Sequence, residues 1–181
     1  MTKEELDLVW ITRCLDGDVE AFGNLVEKYQ KPVFNVILRM VGSYEDASEI
    51  AQQVFLKAFE NLGTFGRDRR FFSWIYRIAI NQSLNHLERR RPLEPLAPEM
   101  PSPAPGPDEQ LEEAESNRAL HEAIAALKPE YRAPVILRHL LRCSYRDAAE
   151  ILEVPEKTLK SRLFTARHLL RDALIARGIT R

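Results

Sequence analysis

The chain has 181 residues, a formal net charge of −1 and 45% apolar side chains, enough for two modest cores and ordinary for a soluble globular protein. No apolar run approaches the ~20 residues that span a bilayer, and the acidic start Met1-Thr2-Lys3-Glu4-Glu5 is unlike a secretory signal, so a cytoplasmic protein is expected. Cys14 and Cys143 lie far apart, and His86, His121, His139 and His168 are scattered; with no zinc spacing and no nucleophile–base pair, neither a metal, a cofactor nor an enzymatic activity is expected.

Helical periodicity and cap residues place the first elements near 3–15, 18–41, 43–62 and 70–91, with Asp18 and Ser43 as the N-cap types and Pro32 as a candidate break in the second. The helix from 43 buries a stripe of Ala47, Ile50, Val54 and Ala58. Its exposed side carries Glu45, Asp46, Glu49, Gln52 and Gln53, a solvated face or a face for docking a partner.

The next segment, Phe65-Gly66-Arg67-Asp68-Arg69-Arg70-Phe71-Phe72-Ser73-Trp74-Ile75-Tyr76-Arg77, joins a basic loop to a run of aromatics. On a wheel of about 100° per residue, Phe72, Tyr76, Ile80, Leu84 and Leu87 form one apolar side. Trp74, Ile78, Asn81 and Asn85 form another, bordered by Arg77, Gln82 and Arg89. Aromatic faces, amides and arginines together suit single-stranded nucleic acid, each stacked base contributing roughly 1–3 kcal/mol. Arg67, Arg69, Arg70, Phe71, Trp74, Arg77, Asn81 and Asn85 are the candidate contacts, although Trp74 at helical spacing also reads as partial core.

Seven of the 11 prolines fall between Pro92 and Pro107, where they deny the backbone both a helix and a central strand. With Glu94, Glu99, Asp108 and Glu109, residues 92–110 read as an acidic, extended, semi-rigid linker between two domains, 1–91 and 111–181.

Beyond it, helices are expected near 111–127, 129–141, 144–152 and 155–176. The segment S-Y-R-D-A-A-E-I-L-E-V-P-E-K-T-L-K-S-R-L (144–163) gives a short helix rich in small residues and a tight turn. Pro155 follows at the start of a second helix whose stripe is Leu159, Leu163, Ala166, Leu170 and Leu174. That is a helix-turn-helix pattern. Opposite the stripe lie Lys157, Ser161, Phe164 and His168, flanked by Lys160, Thr165 and Arg171, a face fit for base edges in a major groove. Arg162 and Arg167 sit at its margins, suited to phosphates. Bases thus cluster at 67–91 and 155–181 with an acidic stretch between, which fits two separate contacts with a polyanion despite the near-zero net charge.

The stretches D-G-D-V-E-A-F-G-N-L-V-E-K-Y (16–29), E-D-A-S-E-I-A-Q-Q-V-F-L-K-A-F (45–59), F-F-S-W-I-Y-R-I-A-I-N (71–81), L-K-P-E-Y-R-A-P-V-I-L-R (127–138) and the 144–163 segment together resemble the extracytoplasmic-function (group 4, sigma-70 family) RNA polymerase sigma factors over nearly the whole chain outside the linker. The resemblance implies an all-α fold of two small bundles, sigma region 2 and region 4. Residues 43–62 would dock on the clamp helices of core RNA polymerase, 65–85 would melt and capture the −10 element, and 155–170 would read the −35 element. It also implies an anti-sigma protein as a partner and an extracytoplasmic or stress response as the setting. The sequence departs from the family at Gln53, where an acidic residue is common, and at Lys157 and Thr165, where glycine and a basic residue are common. The rival reading, a stand-alone helix-turn-helix regulator, requires a dimer and a palindromic site.

Overall fold

A computed structural model describes residues 3–66, 69–89 and 109–178. Among these, all regular structure is helical: α1 (Lys3–Leu15), α2 (Ala21–Val41), α3 (Tyr44–Glu60), a 3-10 turn (Leu62–Thr64), α4 (Phe71–Arg89), α5 (Glu109–Ala126), α6 (Pro129–Val135), α7 (Tyr145–Ile151) and α8 (Glu156–Ile175). The expected linker at 92–110 falls almost wholly outside the described residues, as does Arg67.

The local chemistry accounts for most boundaries. Ser43 is in extended conformation and its Oγ accepts from the Asp46 amide at 3.3 Å, so α3 starts where the cap residue stands. Asp18, also expected to cap a helix, does not. Its carboxylate accepts from Arg13 Nε at 2.9 Å and Nη2 at 2.6 Å, and α2 begins later, at Ala21. Two charge-assisted bonds from one guanidinium converge on Asp18 Oδ2 and draw the carboxylate away from the backbone amides. Pro32 does not break α2, which continues to Val41 and ends on Gly42 at φ 79°, whose amide donates to Leu38.

The first bundle packs Leu25, Val33, Val36, Ile37 and Met40 of α2 against Ala47, Ile50, Val54 and Ala58 of α3 and Ile75, Tyr76, Ala79 and Ile80 of α4, all buried. An ion pair pins two of its helices together. Asp7 is only 3% exposed, and accepts from Lys28 Nζ at 2.5 Å and from the Tyr29 hydroxyl at 2.7 Å, pinning α1 to α2. Burial, then the hydrogen bond to Asp7, pushes the Tyr29 phenol well above its usual value.

In the second bundle, Ala133, Val135, Ile136 and Leu137 meet Ala148, Ala149 and Ile151 of α7 and Leu159, Leu163 and Ala166 of α8. The expected 129–141 helix changes character part-way. Residues Ile136–Leu140 wind as a π-helix, with the Leu141 amide reaching back to Ile136, and the chain then turns at Arg142, φ 53°. The two bundles touch. The guanidinium of Arg132 donates to the carbonyls of Ala125 and Leu127 in its own bundle and to that of Met40 at the end of α2.

Candidate nucleic-acid interface

The helix-turn-helix is built as the pattern requires. Ser144 caps α7 through the Asp147 amide at 3.0 Å. Ala148 and Ala149 are buried small residues that let Leu159 and Leu163 approach closely. The turn passes through Glu153 at φ 52°. Pro155, expected inside the second helix, is instead its N-cap: it is extended, and its carbonyl accepts from the Leu159 amide at 3.1 Å.

Leu159, Leu163 and Ala166 are buried, Leu170 and Leu174 half-buried. The opposite face carries Lys157, Lys160, Ser161, Phe164, Arg167 and His168, all exposed, with Arg162 and Thr165 half-buried at its margins. Phe164 keeps 64% of its surface in solvent and lies edge-to-face on His168, centroids 4.4 Å apart. Lys160 reaches Glu156 at 3.6 Å, a pair too exposed to hold it.

Sequence reasoning missed a group beside this face. The Tyr145 ring lies 4.3 Å from the Arg138 guanidinium and 5.4 Å from Lys160 Nζ. A hydrogen bond from Arg167 is the main cause that holds the Tyr145 phenol below its usual value. Four residues from three elements thus form one cationic rim around an aromatic ring. Tyr145 directly follows the cap Ser144, which was its only sequence clue; Arg138 is brought in by the π-helical turn.

The residues expected to hold a single strand divide. Arg69, Asn81 and Asn85 are exposed. Trp74 is half-buried, its ring 5.4 Å from Phe65 and 5.6 Å from Phe71, so it is part core and part surface. Phe71 is a correction. At 3% exposure, packed on Tyr29, Phe65 and Trp74, it is a core residue and offers no face to a base. A helix start that faces inward turns its first aromatic into the bundle, and a wheel without neighbours cannot show this. Arg70 and Arg77 are both engaged by carboxylates, Arg70 by Glu4 at 2.5 Å and Asp147 at 3.0 Å, and Arg77 by Glu153 at 3.1 Å.

On α3, Glu45, Glu49, Gln52 and Gln53 are exposed, with Gln53 donating to Glu49 at 3.0 Å. Asp46, expected on the same outward side, is turned toward α4 and half-buried, 3.6 Å from His86 Nε2. Gln52 borders a groove of about 410 Å3 between α2 and α3, lined by Val26, Gln30, Lys31, Phe34, Ser48, Ala51 and Phe55. The apolar members of that groove were not singled out from sequence, because each lies off the core stripe by only a fraction of a turn.

Two family models match: Sigma-70 region 2 over residues 25–92 and Sigma-70, region 4 over residues 117–170. The chain belongs to the sigma-70 family of RNA polymerase sigma factors. This sigma factor is 36% identical to the RNA polymerase sigma-H factor of Pseudomonas aeruginosa, the match covering 96% of each chain. It is 31% identical to the ECF RNA polymerase sigma-E factor of Escherichia coli K12, covering 94% of this chain and 95% of that one. The all-α, two-bundle fold is shared with solved structures: CnrH in complex with the cytosolic domain of CnrY (TM-score 0.73, 22% identity, 94% of this chain and 98% of that one), and the sigma factor RpoE in complex with the anti-sigma factor NepR from Bartonella quintana (TM-score 0.70, 20% identity, 90% and 99%). The helix-turn-helix therefore lies in region 4 of this sigma factor, and the α2–α3 groove and α4 lie in region 2. No helix among the described residues is long and apolar enough to cross a membrane.

Proposed function

We propose that the chain, as a sigma factor, couples three surfaces to promoter choice. The α2–α3 groove with Glu45, Glu49, Gln52 and Gln53 docks on the clamp helices of core RNA polymerase. An apolar cleft with a polar rim is what a docked helix pair needs, and Phe34 and Phe55 supply the apolar floor. Arg69, Arg70, Trp74, Arg77, Asn81 and Asn85 hold the opened −10 strand. The α8 face reads the −35 element: Lys157, Lys160 and Ser161 toward base edges, Phe164 toward a thymine methyl, and Arg162, Arg167 and Tyr145 toward phosphates. Residues 1–91 form the docking and melting domain, 92–110 the linker and 111–181 the −35 domain.

The observation that carries this reading is the α8 face, where an exposed phenylalanine stands among cationic and hydroxyl side chains on the second helix of a helix-turn-helix. The mechanism uses binding energy and no bond chemistry of its own; the polymerase supplies catalysis. The protein works in the cytoplasm, in a stress or envelope response, and is held in reserve by an anti-sigma protein, as CnrH and RpoE were captured with CnrY and NepR.

The test is run-off transcription with purified core polymerase on a promoter library. Discrete start sites sharing −10 and −35 sequences are expected, and are lost without the chain. Absence of start sites, together with failure to co-purify with core polymerase, overturns the proposal.

A further inference from the structure

Charge, as well as apolar packing, fastens α1 to its bundle. Asp7, 3% exposed, accepts from two neighbouring residues of α2, Lys28 Nζ at 2.5 Å and the Tyr29 hydroxyl at 2.7 Å. Glu4, one turn earlier on α1, lies 2.5 Å from Arg70 Nη2, just ahead of α4. A buried ion pair is a costly way to attach a helix, since well-packed apolar side chains of similar volume often do so as well or better. What the Asp7 contacts add is direction. A hydrogen bond fixes the orientation of the groups it joins, and an apolar contact does not.

That direction passes through a line of rings. Tyr29 sits edge-on to Phe71, centroids 5.3 Å apart and planes at 62°. Phe71 lies 5.6 Å from Trp74, and Phe65 lies 5.9 Å from Phe71 and 5.4 Å from Trp74, so Phe65 and Phe71 together cradle the indole. In tilted and edge-to-face pairs such as these, the plane of one ring constrains the plane of the next. Lys28 Nζ also lies 5.1 Å from the Tyr29 ring centroid, a second restraint on that ring. Tyr29, Phe65 and Phe71 are buried, and Trp74 is half-buried. Asp7 thus stands at the inner end of a line whose open end is Trp74.

We infer that Asp7 is a positioning residue for promoter opening: by fixing the Tyr29 hydroxyl it sets Phe71, and through Phe71 the angle at which Trp74 meets the opened −10 strand. The role in opening rests on the assignment of Trp74 to that strand; the setting of the ring does not. Stacking needs a face presented at a defined angle, and an indole that rocks in its cradle loses part of the contact.

The chain has two tryptophans, so Trp10→Phe leaves Trp74 as the sole indole and serves as the parent. Within it, Tyr29→Phe keeps the ring and removes the hydrogen bond to Asp7, while Asp7→Asn keeps the shape and removes the charge. Acrylamide quenching of Trp74 fluorescence in the free chain is expected to rise roughly twofold in both, as the ring loosens locally. In holoenzyme, on a promoter found by run-off transcription, permanganate reactivity of the opened thymines is expected to fall roughly three- to tenfold, part of the stacking of one base, while capture of the chain by core polymerase is unchanged. Ile37→Val opens a small cavity in the same core, outside the line of rings, and is expected to lower stability with both readings at the parent level.

Unchanged quenching in Tyr29→Phe and Asp7→Asn overturns the inference, and so does an Ile37→Val variant that matches them in quenching and opening. Trp74→Ala separates the two assignments, with opening expected to fall roughly 5- to 100-fold. Full opening in Trp74→Ala rejects the strand assignment of Trp74, and the role of Asp7 in opening with it, while leaving the setting of the ring intact. Opening lost in Trp74→Ala but held at the parent level in Tyr29→Phe and Asp7→Asn rejects the positioning role alone.

Discussion

Replacing Phe164 by alanine isolates the reading face from everything that holds the fold. Complete burial of a phenylalanine side chain contributes about 1.5–3 kcal/mol. Phe164 still exposes 64% of its surface in the free chain, so about two-thirds of that, roughly 1–2 kcal/mol, remains to be gained against a base. The variant should therefore lose roughly 5- to 30-fold in promoter affinity as holoenzyme. Its own stability should change little, within about 0.5 kcal/mol, because among the described residues the ring contact it gives up is the exposed one with His168. The assay is run-off transcription at limiting holoenzyme on promoters with and without the −35 element, with urea unfolding alongside. A loss that is equal on both promoters, or no loss at all, refutes the placement of Phe164 in the groove. A matching loss of stability would mean that the ring is packed in a way the structure does not have.

Other outcomes follow from the same geometry. Lys160→Ala should lower −35-dependent transcription by roughly tenfold, as a base contact of about 1–3 kcal/mol is lost, and leave the unfolding midpoint unchanged because its pair with Glu156 is exposed; equal transcription on such promoters rejects the assignment. Tyr29→Phe leaves buried Asp7 with one hydrogen bond fewer and should cost about 1–3 kcal/mol in chemical denaturation; a midpoint within error of the parent would show the network to be solvated. His121 and His139 are both held below the usual 6.5, by burial first, then by Arg39 for the former and by Arg167 and Arg138 for the latter. Each is therefore neutral in the fold where the unfolded chain would bind a proton. Stability is then full above 6.5 and falls as pH drops through it, and His121→Gln with His139→Gln should flatten that slope; a slope unchanged by the double variant would exclude both.

The helices, their order and the exposed side of α8 were legible in the sequence because each follows from spacing along one element. Ser43 announces α3, the Ala148–Ala149 pair announces close packing, and the Leu159–Leu163–Ala166 stripe fixes by opposition which side of α8 faces outward. Where the residue's partner lay on another element, spacing was silent. Asp18 went to Arg13 instead of to a helix amide. Phe71 went into the core because Tyr29 and Phe65 were waiting there, and Asp46 turned to His86. Tyr145 and Arg138 form a cationic rim beside the exposed face of α8 only because a π-helical turn brings them together.

The amino-acid order by itself determined that this is an all-helical sigma factor whose helix-turn-helix ends in a basic, amphipathic helix. Amphipathic period, cap chemistry and a proline-dense stretch are local properties, set within a few residues. Only tertiary packing decided which side chains of those helices are free to meet a partner. A contact between Arg77 and Glu153, 76 residues apart in sequence, exists only once two bundles lie side by side, and no periodicity along either helix encodes it.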